Sequence, residues 1–132
     1  MQLLKKIKYI VIHHSGNSNS IEKIKNLHIK INGWEDIGYH WLIDSNGKII
    51  KARNEKFVGA HVRGHNKNSL GICLMKNLDK SPPTKEQINS LIKLLKIKIQ
   101  QYKIPIENIL GHRNFQEVTK TCPGKFFNLK KI

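Results

Sequence analysis

Lys8-Tyr9-Ile10-Val11-Ile12-His13 is a short apolar run that closes on a histidine. Its β-branched and aromatic content and its shortness read as a buried strand. Tyr9, Val11 and His13 alternate with Ile10 and Ile12, so the two sets face opposite sides of a sheet. Outward from this strand the elements change type. Ser20 is placed to cap a helix running to about Ile31, with Ile21, Ile24, Leu27, His28 and Ile31 on one face. Gly38–Asp44 and Lys48–Arg53 are strand candidates joined by Ser45-Asn46-Gly47, and Asn-Gly is a hairpin signal because both residues tolerate positive φ. Ser69–Met75 is a further strand. Pro82 and Pro83 then break the chain. Thr84 and Gln87 form a capping box ahead of Ile88, Leu91, Ile92, Leu95 and Ile99, which recur at helical spacing with lysines largely on the other face. That helix ends before Pro105, and Ile109-Leu110-Gly111 is a short strand that delivers His112 to a loop. Strands alternating with helices predict a single α/β domain over residues 1–132, with a central mixed sheet flanked by helices. Ligand chemistry in such sheets gathers at strand ends.

The chain has 132 residues, enough for one core without disulfide staples. No apolar run approaches the roughly 18–20 residues of a membrane span. The first twelve residues lack a small-residue cleavage site and are not read as a signal peptide, so synthesis in the cytoplasm is expected. The net charge is +15. It suits an anionic partner, and it equally suits compositional drift in a chain crowded with Lys, Ile and Asn. Cys73 sits in an apolar strand and Cys122 in a polar loop, settings that argue against a disulfide between them.

There are seven histidines. His13 and His14 end the first strand, His40 lies in another, His61 and His65 precede the Cys73 strand, and His112 follows a strand with Cys122 ten positions on. Several strand ends thus present imidazole or thiol, which suits a borderline-soft metal such as zinc. His13, His112 and Cys122 would supply two nitrogens and one sulfur and leave a fourth position open. No Cys-x-x-Cys pair or His-Glu-x-x-His helix supports the metal reading by spacing. Histidines that only satisfy core or surface hydrogen bonds remain the alternative at this level.

Four stretches resemble the type 2 N-acetylmuramoyl-L-alanine amidases, a family that includes phage lysozymes and animal peptidoglycan recognition proteins. They are Tyr-Ile-Val-Ile-His-His-Ser (9–15), Asp-Ile-Gly-Tyr-His-Trp-Leu-Ile (36–43), Gly-Ala-His-Val-Arg-Gly-His-Asn-Lys-Asn-Ser-Leu-Gly-Ile-Cys-Leu (59–74), and Gly-His-Arg-Asn (111–114) with Lys-Thr-Cys-Pro-Gly (120–124). They stand in family order across nearly the whole chain. The resemblance implies one zinc ion per chain in a surface cleft, held by His13, His112 and the Cys122 thiolate. It implies that Tyr39 is the active-site tyrosine, Lys120 the catalytic lysine of the phage branch, and His61 a cleft histidine that contacts substrate. The implied substrate is peptidoglycan or a muropeptide, cut between N-acetylmuramic acid and L-alanine by an endolysin-type enzyme that reaches the wall after release.

Two departures stand out. The stretch between His112 and Cys122 is about two residues longer than in the shortest family members, so the match of Lys120 depends on counting back from the cysteine. Asn114 stands where the family usually has Asp, which puts a structural contact in doubt. The family also contains peptidoglycan receptors without catalysis, which typically lose the cysteine, and a phage member that restrains its RNA polymerase. Of these alternatives the filled ligand set favours the enzyme. A monomer is expected, with no nucleic-acid motif. His14, His28, His40, His65 and Cys73 read as structural residues, His40 because it alternates with Tyr39 and so points to the other sheet face, while Trp34 and Trp41 are open to core or cleft roles.

Overall fold

The computed structural model describes residues 2–16, 37–115 and 121–129. Its described residues form one five-stranded mixed sheet: β1 (Tyr9–His14), β2 (Trp41–Ile43), β3 (Ile49–Lys51), β4 (Ser69–Leu74) and β5 (Ile109–Gly111). The order is β3-β2-β4-β1-β5. β4 and β5 flank β1 in parallel, β2 runs parallel to β4, and β3 returns antiparallel to β2. Central parallel strands have to be apolar on both faces, and β1 and β4 are buried almost throughout. The helix expected over residues 20–31 and Trp34 lie outside the described residues.

β2 and β3 join through the expected hairpin, but only Gly47 takes positive φ, at 83°. Asp44 does what a second left-handed residue would have done. Its Oδ1 accepts from the amides of Asn46 and Lys48 and fixes the turn. β2 is also shorter than Gly38–Asp44. The ladder reaches back only through single bonds, such as His40 N–H to Gly71 O.

The helix α1 (Lys85–Tyr102) starts at Thr84 with the capping box complete in both directions. Gln87 Oε1 accepts from Thr84 N, and its Nε2 donates to Ile43 O, so the cap also pins the helix to β2. Lys103 in the left-handed conformation (φ 54°) ends it ahead of Pro105. The buried face is Gln87, Leu91, Leu94, Leu95 and Lys98. Leu94 and Lys98 were not expected there, because a lysine in the stripe looks like solvent. Lys98 is buried because Glu55 waits for it. The carboxylate accepts from Lys98 Nζ at 2.9 Å, Tyr102 Oη at 2.9 Å and Trp41 Nε1 at 2.7 Å. Trp41 therefore belongs to the helix side of the sheet and packs with Ile10, Ile12, Ile43, Leu70, Ile72, Leu74 and Leu91.

Among the described residues, no helix is long and apolar enough to cross a membrane. The opposite face of the sheet carries His13, Cys73 and Gly71 between smaller apolar groups. The candidate site lies there.

Candidate metal centre and active site

β1 and β5 are adjacent and parallel, with Ile12 level with Gly111. His13 and His112, each the next residue, therefore leave the same sheet edge side by side. Their rings lie 4.7 Å apart between centroids. Strand alternation turns His13 to the face away from α1, and it turns His14 off the cluster. His14 Nδ1 accepts from Leu78 N at 3.0 Å, so His14 serves the backbone.

The third member comes from the far end of the chain. Cys122 Sγ stands 3.7 Å from His13 Nδ1 and accepts from the His14 amide at 3.4 Å. The loop around Cys122 is braced by Arg113, the residue after His112. Its amide donates to Cys122 O at 2.7 Å, and its guanidinium donates to Thr121 O, Gly124 O and Phe127 O at 3.2, 2.6 and 2.7 Å. Asp79 holds the other side, accepting from Thr121 Oγ1 and Lys125 N. Asn114 Oδ1 accepts from Gly111 N at 2.7 Å, so the contact a carboxylate oxygen would make there is present.

His13, His112 and Cys122 thus offer one ligand atom each, all within 4.8 Å of one another. Two imidazole nitrogens and one thiol are a zinc donor set with room for a fourth group. Burial, and then the neighbouring His61, His112 and His14, hold the His13 pKa well below the usual imidazole range. A neutral ring with a free lone pair is what a metal ligand needs.

Tyr39 lies against His13, with ring centroids 5.2 Å apart. Burial pushes its phenol well above 10, with the Cys73 and Cys122 sulfurs adding to the rise. It packs against the cluster that holds Cys73, a buried thiol that burial also pushes up. His40, the next residue, was expected on the opposite face. Instead both neighbours reach the same cluster, because Tyr39 precedes the regular strand and escapes its alternation. His40 sits 5.7 Å from the His61 ring between centroids. It is structural as expected: Nε2 donates to Phe57 O and Nδ1 accepts from Gly71 N.

His61 is 8% exposed, and its Nδ1 lies 2.9 Å from His13 Nε2. His65 packs its ring on Phe115. Lys120 lies outside the described residues. Arg113, Asp79 and Ser69 had no role assigned from sequence. Arg113 was visible inside Gly-His-Arg, but its function is to grip a loop whose position no spacing announces.

The fold and cluster together define an α/β domain whose strand ends carry a zinc-compatible donor set. Comparison with known proteins gives the family. The profile described as N-acetylmuramoyl-L-alanine amidase matches residues 3–125. The endolysin of Escherichia phage T7 is 32% identical over 131 residues, covering 92% of this chain and 82% of the endolysin. The solved structure of N-acetylmuramoyl-L-alanine amidase LysC from Clostridium intestinale URNW superposes with a TM-score of 0.88 at 30% identity, over 99% of this chain and 89% of that one. Peptidoglycan recognition protein-LE in complex with tracheal cytotoxin, a monomeric diaminopimelic acid-type peptidoglycan, superposes at 0.81 with 29% identity, over 100% of this chain and 88% of that one. The chain belongs to the N-acetylmuramoyl-L-alanine amidase family.

Proposed function

We propose that this chain is a zinc-dependent hydrolase that cuts the amide between N-acetylmuramic acid and L-alanine in peptidoglycan, acting as an endolysin-type enzyme. The observation that supports this most is the convergence of His13, His112 and Cys122 within 4.8 Å, in a chain of an amidase family. When bound, zinc supplies Lewis-acid polarisation of a carbonyl and acidifies water towards neutral pH. The protein's own part is positioning and charge. The Tyr39 phenol is a hydrogen-bond donor at neutral pH and orients the attacking water or the carbonyl oxygen. Lys120 stands two residues before Cys122 in sequence. An ammonium there offsets the negative charge that builds on the carbonyl oxygen, typically the largest catalytic contribution at such sites. His61, expected to contact substrate, is given a different part here: it is buried against His13 and acts on that ring. The lysine-rich surface favours capture of an anionic wall polymer and weakens with salt. In this reading the protein is made in the cytoplasm and acts on the wall after release.

A binding role without catalysis is the second reading, because a recognition protein with bound muropeptide has the same fold. Purified peptidoglycan tests both. The wild type is expected to release new amino-terminal alanine with near-stoichiometric zinc, and Cys122→Ala to lose both. Stoichiometric zinc with muropeptide binding and no new alanine termini favours the receptor. A folded wild type that takes up no zinc contradicts the zinc mechanism.

A further inference from the structure

The ring of His61 occupies a slot that leaves no space for other side chains. A Cβ on Gly71 would lie 2.7 Å from His61 Cγ, and one on Gly59 would lie 2.7 Å from its Cδ2. Real Cβ atoms do not approach that closely, so both glycines are required for the ring to lie flat against the sheet. Asn66 Oδ1 pins the segment by accepting from the amides of His61 and Val62 at 2.9 and 2.8 Å. Gly71 is held in turn by its N–H to His40 Nδ1 at 3.0 Å.

The hydrogen bonds through this ring have one consistent direction, set at the far end. The His65 carbonyl can only accept, and Ser69 Oγ lies 2.7 Å from it. The single hydroxyl proton is spent there. Ser69 Oγ therefore accepts from His61 Nε2, 3.3 Å away. A neutral His61 that donates from Nε2 keeps its lone pair on Nδ1. That atom lies 2.9 Å from His13 Nε2 and so accepts a hydrogen bond from its N–H. His13 then carries its lone pair on Nδ1, the nitrogen that stands 3.7 Å from Cys122 Sγ.

We infer that His61 is a positioning residue: through the relay Ser69–His61–His13 it locks His13 in the tautomer whose Nδ1 faces the metal position. The inference rests on the zinc reading of His13 and adds to it the reason a buried histidine and two glycines stand behind the ligand. It gives the Ser-Leu-Gly segment of β4 a task, since Ser69 ends the relay and Gly71 makes room for it. Groups that hydrogen-bond the far nitrogen of a ligating histidine fix its orientation and strengthen it as a donor.

Two measurements test this. The first uses metal-free wild type with ¹⁵N-labelled histidine at neutral pH, and reads the ring tautomers by long-range proton–nitrogen correlation. Protons on Nε2 of both His13 and His61 are expected. A proton on His13 Nδ1, or two on His61, overturns the relay without reference to zinc. The second is zinc affinity by chelator competition. His61→Leu should bind zinc about 10–100-fold more weakly. His61→Asn, whose carbonyl can stand where Nδ1 was, should stay within a few-fold of wild type. Equal affinities for His61→Leu and wild type overturn the coupling, as does equal weakening in Leu and Asn variants. A wild type with the expected tautomers that takes up no zinc overturns the proposed function and the coupling together, while the ring order stands on the first measurement.

Discussion

The two faces of the sheet solve opposite problems. On the α1 side, Ile10, Ile12, Ile43, Leu70, Ile72 and Leu74 meet Leu91, Leu94 and Leu95 in a continuous apolar layer. Among the described residues the ion pair Glu55–Lys98 interrupts it, with Trp41 and Tyr102 completing the carboxylate's partners. On the other side, His13, His40 and His61 are buried beside Tyr39 and Cys73, with only small apolar clusters around them. Burying polar rings costs stability unless every nitrogen finds a partner. One face therefore stabilises the domain, and the other uses part of that stability to hold side chains in fixed orientations. Stability and metal binding should then separate under mutation.

The largest expected separation is at Cys122. Cys122→Ala should abolish zinc retention at equimolar metal while metal-free thermal unfolding stays close to wild type. Elemental analysis beside calorimetry reads both, and a collapse of the fold instead would show that the loop, and not the sulfur, is what matters.

On the helix face the pattern should reverse. Glu55→Ala leaves Lys98, Trp41 Nε1 and Tyr102 Oη without their shared acceptor, and loss of one partner of a buried pair costs about 3–5 kcal/mol. Leu91→Ala, at a fully buried position, should cost about 2–5 kcal/mol by cavity formation. Urea unfolding measures both, and zinc stoichiometry of the folded fraction should not change. Zinc loss in Leu91→Ala would mean that the faces are coupled.

Acid should also distinguish the faces. Burial lowers the His40 pKa below 6.5, opposed by its bond to Phe57 O. The folded state binds fewer protons than the unfolded one, so this stabilisation is present above about pH 6.5 and lost as pH falls through the lower folded value. Protonation would set a second ring N–H against the Gly71 amide. For Glu55, burial raises the pKa, but hydrogen bonds from Lys98, Trp41 and Tyr102 outweigh it and leave the value below 4.5. Its contribution is complete above 4.5 and fades below. Tyr102, pushed up to about 12 by burial and by Glu55, stays a donor throughout. Stability of metal-free protein against pH should thus fall in two windows. His40→Gln should shrink the upper one, to which the lowered His13, His14 and His61 also contribute, and Glu55→Gln the lower. One shared window would contradict the assignment.

The smallest effect is at the helix cap. Thr84→Ala should cost about 1 kcal/mol and leave zinc binding untouched.

Much of the helix face was legible in the sequence, and less of the other. β5 and the limits of α1 follow from local rules: apolar run length, the Thr84–Gln87 box and Pro105. Lys98 was misplaced because its burial depends on Glu55, 43 residues away. Trp41 was open between core and cleft for the same reason. The ligand candidates were visible as histidines and a cysteine at strand ends, but their convergence depends on the parallel pairing of β1 with β5, which composition does not announce. The Tyr39–His40 alternation failed where the regular strand stops. The Ser69 and Arg113 bonds go to backbone carbonyls 4 to 14 residues away, and a carbonyl, which every residue carries, leaves no signal in residue spacing. The Lys120 role and the residue 20–31 helix fall outside the described residues.

X-ray absorption at the zinc edge of loaded wild-type protein tests the central claim most directly. One sulfur at about 2.3 Å and two imidazole nitrogens at about 2.0–2.1 Å are expected, with the sulfur lost in Cys122→Ser. A shell of nitrogen and oxygen alone in the wild type, or a folded protein that retains no zinc, would contradict the claim that His13, His112 and Cys122 form the metal site.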